Sequence, residues 1–94
     1  MQKIVMTLEK TLNSYAFCIE NFYPGDGEAG YINSARRYLG DHIDELSAQD
    51  QAKLDRIDAN ALTTARAAYG TWEEDEMRDL ADFILATRAQ QNAA

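Results

Sequence analysis

The sequence is poor in residues that interrupt helices and in residues that build covalent or metal-based sites. Its 94 residues include one proline, five glycines, one cysteine and one histidine. A single cysteine excludes an internal disulfide and fits a reducing compartment, so we expect a cytoplasmic protein. The chain also lacks any run of about eighteen apolar residues, which is the length that a membrane-spanning helix requires.

An excess of basic residues is also missing. Nine lysines and arginines stand against sixteen aspartates and glutamates, and the net charge is −7. Such a surface repels phosphate backbones and anionic lipids, so we expect neither direct nucleic-acid binding nor membrane association. The same field attracts basic surfaces, which points to a protein partner of opposite charge.

Helical periodicity is what the chain does contain. The first 23 residues have no glycine or proline, and their apolar side chains fall within about 120° of a helical wheel. Helices are predicted over residues 3–23, 31–46, 48–69 and 72–89, with a frayed tail at 90–94. With no competing strand pattern, we predict one all-α domain over 1–94, a four-helix antiparallel (up-and-down) bundle.

The predicted second helix contains a glycine and a pair of adjacent arginines, which do not belong to its apolar stripe. Gly40 interrupts the second helix, which either tolerates it or kinks there and restarts with Asp41 as its N-cap. Arg36 and Arg37 are the only adjacent basic pair, and we interpret them as a solvated face paired with nearby carboxylates.

The segment at residues 24–30 holds the only proline and three of the five glycines. It follows a helix rather than a strand, so it does not fit a phosphate-binding loop. Asp26 and Glu28 supply too few oxygen ligands for a calcium loop. The segment is therefore predicted to be a surface turn between two helices.

Acidic residues cluster at the start of the fourth helix. Carboxylates in a first turn are stabilised by the helix dipole, which accounts for Glu73–Asp75 but not for Asp79 and Asp82. An electrostatic patch for a basic partner is the alternative interpretation. The candidate patch comprises Glu73, Glu74, Asp75, Glu76, Asp79 and Asp82.

Aromatic residues flank two of the predicted junctions. Tyr23 and Tyr31 border the 24–30 turn, and Tyr69 and Trp72 border the junction between the third and fourth helices. In an up-and-down bundle both junctions lie at the same end, so these side chains either cap the core or form a binding surface. A second apolar interface, in a dimer or a complex, is predicted from Met6 and Phe17, which lie on the far side of the first helix from its stripe, together with Phe83 or Leu85 of the fourth helix.

No motif for catalysis, a metal or a cofactor is present, so we expect none of these. A lone histidine in a four-helix domain resembles histidine phosphotransfer domains, but the lysine that follows the reactive histidine there is missing after His42. Carboxylates stand nearby instead and would repel a phosphoryl group. Cys18 has no basic residue spaced to lower the pKa of its thiol.

The sequence therefore favours a small, acidic, non-enzymatic protein that binds another protein as an inhibitor or regulator. The most specific mechanism that the charge allows is nucleic-acid mimicry, in which the protein blocks a basic nucleic-acid-binding surface of a bacterial or mobile-element target. The alternative is an obligate helical homodimer with a structural or adaptor role. A phosphocarrier that uses His42 ranks last.

Overall fold

Four helices make up the fold in the computed structural model, which describes residues 7–93. They are α1 (Leu8–Glu20), α2 (Ala29–Asp41), α3 (Ala48–Ala67) and α4 (Glu74–Ala93), and a 3-10 turn at Ile43–Glu45 lies between α2 and α3. No strand occurs in this part of the chain. The predicted all-α helical bundle is confirmed.

The helices are arranged as two hairpins packed side by side. α1 packs on α2 and α3, and α4 packs on the same two helices, so α1 and α4 occupy diagonal corners. Lys53 of α3 donates to Asn13 of α1, whereas Asn33 of α2 donates to Asp79 of α4. The connection from α2 to α3 therefore crosses the bundle diagonally.

The core is built from the apolar stripes of all four helices. The α1 stripe buries Leu12, Tyr15 and Ile19 as its periodicity predicts. The second half of α3 contributes alanines, whose small side chains allow the helices to approach closely. The largest buried apolar side chains from the other helices are Ile32, Leu39, Leu54, Met77, Leu80 and Ile84.

Helix α1 is shorter than predicted. α1 starts after Thr7, whose hydroxyl accepts the amide of Lys10 at 3.1 Å, and it ends at Glu20 rather than at residue 23. The side chain of Asn21 donates to the carbonyl of Phe17 at 2.8 Å and satisfies an unpaired C-terminal acceptor. Residues 1–6 lie outside the described part of the chain.

α2 begins at Ala29, two residues before the predicted start, and runs through Gly40 to Asp41. The helix thus tolerates the glycine, although it does not continue to residue 46 as predicted. A Cβ atom at Gly40 would lie 2.9 Å from Cζ of Phe83, so the missing side chain is what allows that ring to approach.

The second hairpin keeps one predicted helix start and shifts another. Ser47 caps α3 by accepting the amide of Asp50 at 3.1 Å. Gly70 takes a left-handed conformation with φ of +86° after α3 ends. α4 begins at Glu74, two residues later than predicted, and extends to Ala93, beyond the predicted helix end at residue 89.

Candidate protein-binding surface

The 24–28 loop and the junction before α4 meet at one end of the bundle. The carboxylate of Glu73 accepts the amide of Gly25 at 2.6 Å and the amide of Ala29 at 3.1 Å. Glu28, the residue before α2, forms no side-chain cap, so Glu73 supplies that cap from the other hairpin. The expectation that both junctions share one end is confirmed.

This role removes Glu73 from the predicted acidic patch. The residue is only 1% exposed and both of its carboxylate oxygens are occupied by backbone amides. Its charge stabilises the N-terminus of α2 rather than facing a partner. The sequence pattern placed it in the first turn of its own helix, whereas it caps a helix 44 residues away in sequence.

Two of the four predicted aromatic residues at this end project into solvent, and their side chains form no hydrogen bond to any residue in the described range 7–93. Trp72 is 74% exposed and Tyr23 is 66% exposed. The other two are held in place: the hydroxyl of Tyr31 is 2.7 Å from the hydroxyl of Ser14, and the guanidinium of Arg78 lies 5.2 Å from the ring centroid of Tyr69. The aromatic end therefore has two unrestrained side chains and two anchored ones.

The remaining carboxylates of the patch follow the outer face of α4. Asp75, Glu76, Asp79 and Asp82 are exposed, and their spacing places them on adjoining turns of the helix. Glu74 is partly buried, because it accepts the amide of Gly70 at 3.0 Å and pairs with Arg78 at 3.4 Å.

Neighbouring side chains from α2 occupy only part of this acidic face. The side-chain amide of Asn33 donates to Asp79 at 2.8 Å and to Glu76 at 3.2 Å, and Arg37 donates to Asp79 at 2.7 Å. These hydrogen bonds from Asn33 and Arg37 lower the pKa of Asp79. Asp75 and Asp82 have no ion-pair partner within residues 7–93 and remain available to a basic group.

The predicted second apolar interface is not one continuous surface. Phe17 and Leu85 are exposed but lie on α1 and α4, at diagonal corners of the bundle. Phe83 is partly buried beneath Arg36 and Arg37, whose guanidinium carbons lie 5.2 and 4.8 Å from its ring centroid. Met6, the fourth residue of this prediction, lies outside the described residues.

Phe17 joins the aromatic end instead. It lines a shallow depression of about 270 Å³ together with Tyr23, Asp26 and Glu28. Sequence reasoning dismissed these two carboxylates as calcium ligands and did not place them beside aromatic side chains. Asp26 and Glu28 follow Pro24 by two and four residues, and their closeness in sequence to Tyr23 and Tyr31 was the signal that could have identified them.

A buried polar cluster at the centre of the bundle was not predicted from the sequence. Nε and Nη2 of Arg36 donate to the carboxylate of Asp58 in α3 at 2.9 and 3.0 Å, and the hydroxyl of Tyr15 donates to the same carboxylate at 2.8 Å. Arg36 is therefore not solvated, which corrects its interpretation, whereas Arg37 lies on the surface as expected. Burial and the Asp58 carboxylate raise the pKa of Tyr15.

His42 and Cys18 occupy unremarkable positions. Nδ1 of His42 lies 2.5 Å from a carboxylate oxygen of Glu45, and the imidazole packs against the ring of Tyr38. Burial and the nearby Glu28 raise the pKa of the Cys18 thiol, which disfavours the nucleophilic thiolate. Within residues 7–93, no group of three or more His, Cys, Asp or Glu side chains could hold a metal ion.

Comparison of the chain with protein-family models, with curated proteins and with solved structures found no match. None of the helices in the described residues has the combination of length and hydropathy needed to cross a bilayer.

Proposed function

We propose that this protein acts by binding another protein, as an inhibitor or regulator without enzymatic activity. Its partner carries a basic surface, for which a nucleic-acid-binding surface of a bacterial or mobile-element protein is the most specific candidate. The observation that carries the proposal is the exposure of Trp72 and Tyr23 at the end of the bundle where α4 starts, together with an exposed Asp75 in the first turn of α4 that has no ion-pair partner within the described residues.

The two kinds of side chain support different steps of binding. The exposed carboxylates of the acidic patch on α4 attract a basic surface over a distance of about 8 Å in physiological salt, and this accelerates association. Exposed aromatic side chains bury a large area once contact is made, and such residues commonly dominate the binding energy. The shallow depression between Phe17 and Tyr23, with Asp26 and Glu28 at its edge, suits a lysine or arginine side chain.

The structure changes which substitutions test this proposal. Glu74 and Asp79 make intramolecular hydrogen bonds, so replacing them would remove contacts within the protein as well as surface charge. Asp75 and Asp82 avoid this difficulty. A partner is first captured from the native host with the wild-type protein, and its association is then compared for wild type and the Asp75→Lys/Asp82→Lys variant.

We expect the double variant to associate about tenfold more slowly at low salt, with a smaller dependence of the rate on salt concentration. Trp72→Ala should instead increase the dissociation rate. Asp55→Lys on the exposed side of α3 is a single charge reversal outside the surface and is the matched control for Asp75→Lys alone. An association rate that is independent of salt, or that falls equally with Asp55→Lys, would contradict the proposal.

A homodimer remains the second candidate because Leu85 is exposed on α4, next to the partly buried Phe83. Light scattering across a concentration series tests it. A dimer that is lost in Leu85→Lys supports this alternative, whereas a monomer at every concentration excludes it.

A further inference from the structure

The shallow depression at the aromatic end combines aromatic rings with carboxylates. Its walls are Phe17, Cys18, Asn21, Tyr23, Asp26 and Glu28, and its volume is about 270 Å³. None of these wall residues, all of which belong to the described part of the chain, is a lysine or arginine. Small-molecule sites usually occupy about 300–1,000 Å³, so this volume suits one side chain of a partner better than a whole ligand.

Both rings of the depression are open to a partner. The side chains of Phe17 and Tyr23 are each 66% exposed, and the hydroxyl of Tyr23 has no hydrogen-bond partner within residues 7–93. The face of an aromatic ring carries the negative part of its quadrupole and therefore attracts a cation. The two rings thus favour a positively charged group, and their exposure allows it to reach them.

The two carboxylates of the depression have different duties. Asp26 holds the loop, because its Oδ1 accepts the amide of Glu28 at 2.9 Å and its Oδ2 accepts the amide of Tyr23 at 3.2 Å. The carboxylate of Glu28 is exposed and has no hydrogen-bond or ion-pair partner within residues 7–93. Burial raises the pKa of the Cys18 thiol, and Glu28 and Asp26 raise it further, so both charges lie close to this wall. Glu28 therefore offers two free oxygens beside the rings.

Asn21 adds a third free acceptor and decides which cation fits best. Its Nδ2 donates to the carbonyl of Phe17 at 2.8 Å, which leaves Oδ1 without a partner in the described residues. Arginine is a side chain with five N–H donors and no acceptor, and its planar fork matches a carboxylate and stacks on aromatic faces. The ammonium of lysine is a strongly hydrated point charge that does neither. The acceptors and rings of the depression therefore favour a guanidinium group.

We propose that the depression binds the guanidinium group of an arginine side chain supplied by the protein partner. The guanidinium donates to both oxygens of Glu28 and to Oδ1 of Asn21, and its plane packs against the exposed rings. This inference rests on the proposed function and narrows the basic surface of the partner to an arginine anchor. The depression is continuous with the rest of the aromatic end, since a Cβ atom at Gly25 would lie 3.8 Å from the indole nitrogen of Trp72.

The first test is an NMR titration of the full chain with N-acetyl-arginine amide at constant ionic strength. We expect saturable shifts of Phe17, Asn21 and Tyr23, with a dissociation constant on the order of 5 mM for so small and open a contact. The amide of N-acetyl-lysine has the same charge and should bind at least about threefold more weakly. The amide of N-acetyl-citrulline has nearly the same shape without the charge and should bind at least about tenfold more weakly.

Two variants locate the binding, and both replace exposed side chains so that the fold is kept. Glu28→Gln should weaken binding of the arginine amide about fivefold, whereas Glu20→Gln, an exposed carboxylate outside the depression, should leave it unchanged. Phe17→Ala should weaken binding about threefold, and Leu85→Ala, an exposed apolar side chain on the diagonal helix, is its control. No saturable shift, equal affinity for the lysine or citrulline amide, or equal binding by wild type and Glu28→Gln would overturn the proposal.

The second test uses the captured partner and separates this inference from the proposed function. Glu28→Gln and Phe17→Ala should each increase the dissociation rate of the complex about tenfold, since an anchor acts after contact is made. If Asp75→Lys/Asp82→Lys slows association while neither of these variants changes dissociation, the arginine anchor is overturned and the proposed function stands. If the arginine amide binds as expected and no partner with a salt-dependent association is found, the guanidinium site is supported and the proposed function fails.

Discussion

Arg36 and Arg37 are neighbours in sequence and occupy opposite kinds of environment. The Arg36–Asp58 pair has a separation of 2.9 Å, with side chains that are 2% and 3% exposed. The Arg37–Asp79 pair has a separation of 2.7 Å, with side chains that are 45% and 54% exposed. Two ion pairs of almost equal length therefore differ chiefly in their access to water.

The energetic consequence of this difference is large. An exposed pair is screened by water and is worth about 0–1 kcal/mol. A buried pair contributes little net stability when complete, but removing one partner leaves an uncompensated charge and costs about 3–5 kcal/mol. The comparison shows that burial, rather than distance, determines how strongly the fold depends on each pair.

The largest effect is expected from Asp58→Ala. It leaves Arg36 charged in the core and removes the acceptor of Tyr15, so the free energy of unfolding should fall by about 3–5 kcal/mol in urea denaturation. Asp55→Ala, at an exposed position of the same helix, is the matched control and should change it by less than about 0.5 kcal/mol. Equal effects of the two substitutions would contradict the role assigned to burial.

The second-largest effect is expected from Glu73→Gln. The buried carboxylate of Glu73 accepts from backbone amides, whereas that of Asp58 accepts from a guanidinium. Glutamine has a single side-chain oxygen, so the amide of Gly25 or that of Ala29 loses its acceptor. We expect a loss of about 2–3 kcal/mol by thermal or urea unfolding. The control is Asp75→Asn at an exposed site of α4, and a comparable loss there would show that the charge of this end, rather than the cap, is responsible.

Tyr15→Phe weakens the buried cluster without removing its ion pair. The carboxylate of Asp58 keeps both of its bonds to Arg36, so we expect a loss of about 1–2 kcal/mol. Tyr31→Phe, which removes an exposed hydroxyl, is the control.

Wild type and Tyr15→Phe should also differ in how their stability changes at alkaline pH. Burial raises the pKa of Tyr15 above its usual value of 10.0, so the protonated phenol stabilises the fold fully below about pH 10, and this contribution is lost as the pH rises further. Urea denaturation at about pH 8 and pH 11 should show a larger loss for wild type than for Tyr15→Phe. An equal loss of unfolding free energy between these two pH values in wild type and Tyr15→Phe would contradict the burial of the phenol.

The smallest effect is expected at the exposed pair. Asp79→Asn should lower the free energy of unfolding by less than about 1 kcal/mol at neutral pH. Asn33 and Arg37 lower the pKa of Asp79 below its usual 3.8, so its contribution is present above that pH and is lost as the pH falls through the folded-state pKa. The difference in the free energy of unfolding between wild type and Asp79→Asn, measured by urea denaturation, should be smaller at about pH 3 than at about pH 7.

The sequence was sufficient to predict the helices and most of the core, because apolar periodicity and the breaks at Pro24 and Gly70 are local signals. It could not assign different roles to Arg36 and Arg37. Residues about 100° apart on a helix face different neighbours, and which of them faces Asp58 depends on how α2 and α3 cross. Tyr15 was correctly placed in the core, but its partner lies 43 residues away in sequence.

The acidic patch illustrates the same limit. Charge and spacing correctly placed Asp75, Glu76, Asp79 and Asp82 on the surface, whereas Glu73 looks identical to them in the sequence. Only the approach of the 24–28 loop reveals that its carboxylate is used by α2. A helical wheel drawn through residue 23 places Phe17 and Tyr23 on different faces. The chain leaves the helix after Glu20, so the wheel does not describe where Tyr23 lies.

Because Glu73 caps α2, hydrogen exchange at the backbone amide of Ala29 reports on separation of the two hairpins. First-turn amides of a helix usually exchange readily with deuterium, since they lack acceptors within the helix. The amide of Ala29 is held by a side chain from the opposite hairpin, so its exchange requires the hairpins to separate at the aromatic end. Its protection factor therefore measures how often this end of the bundle opens.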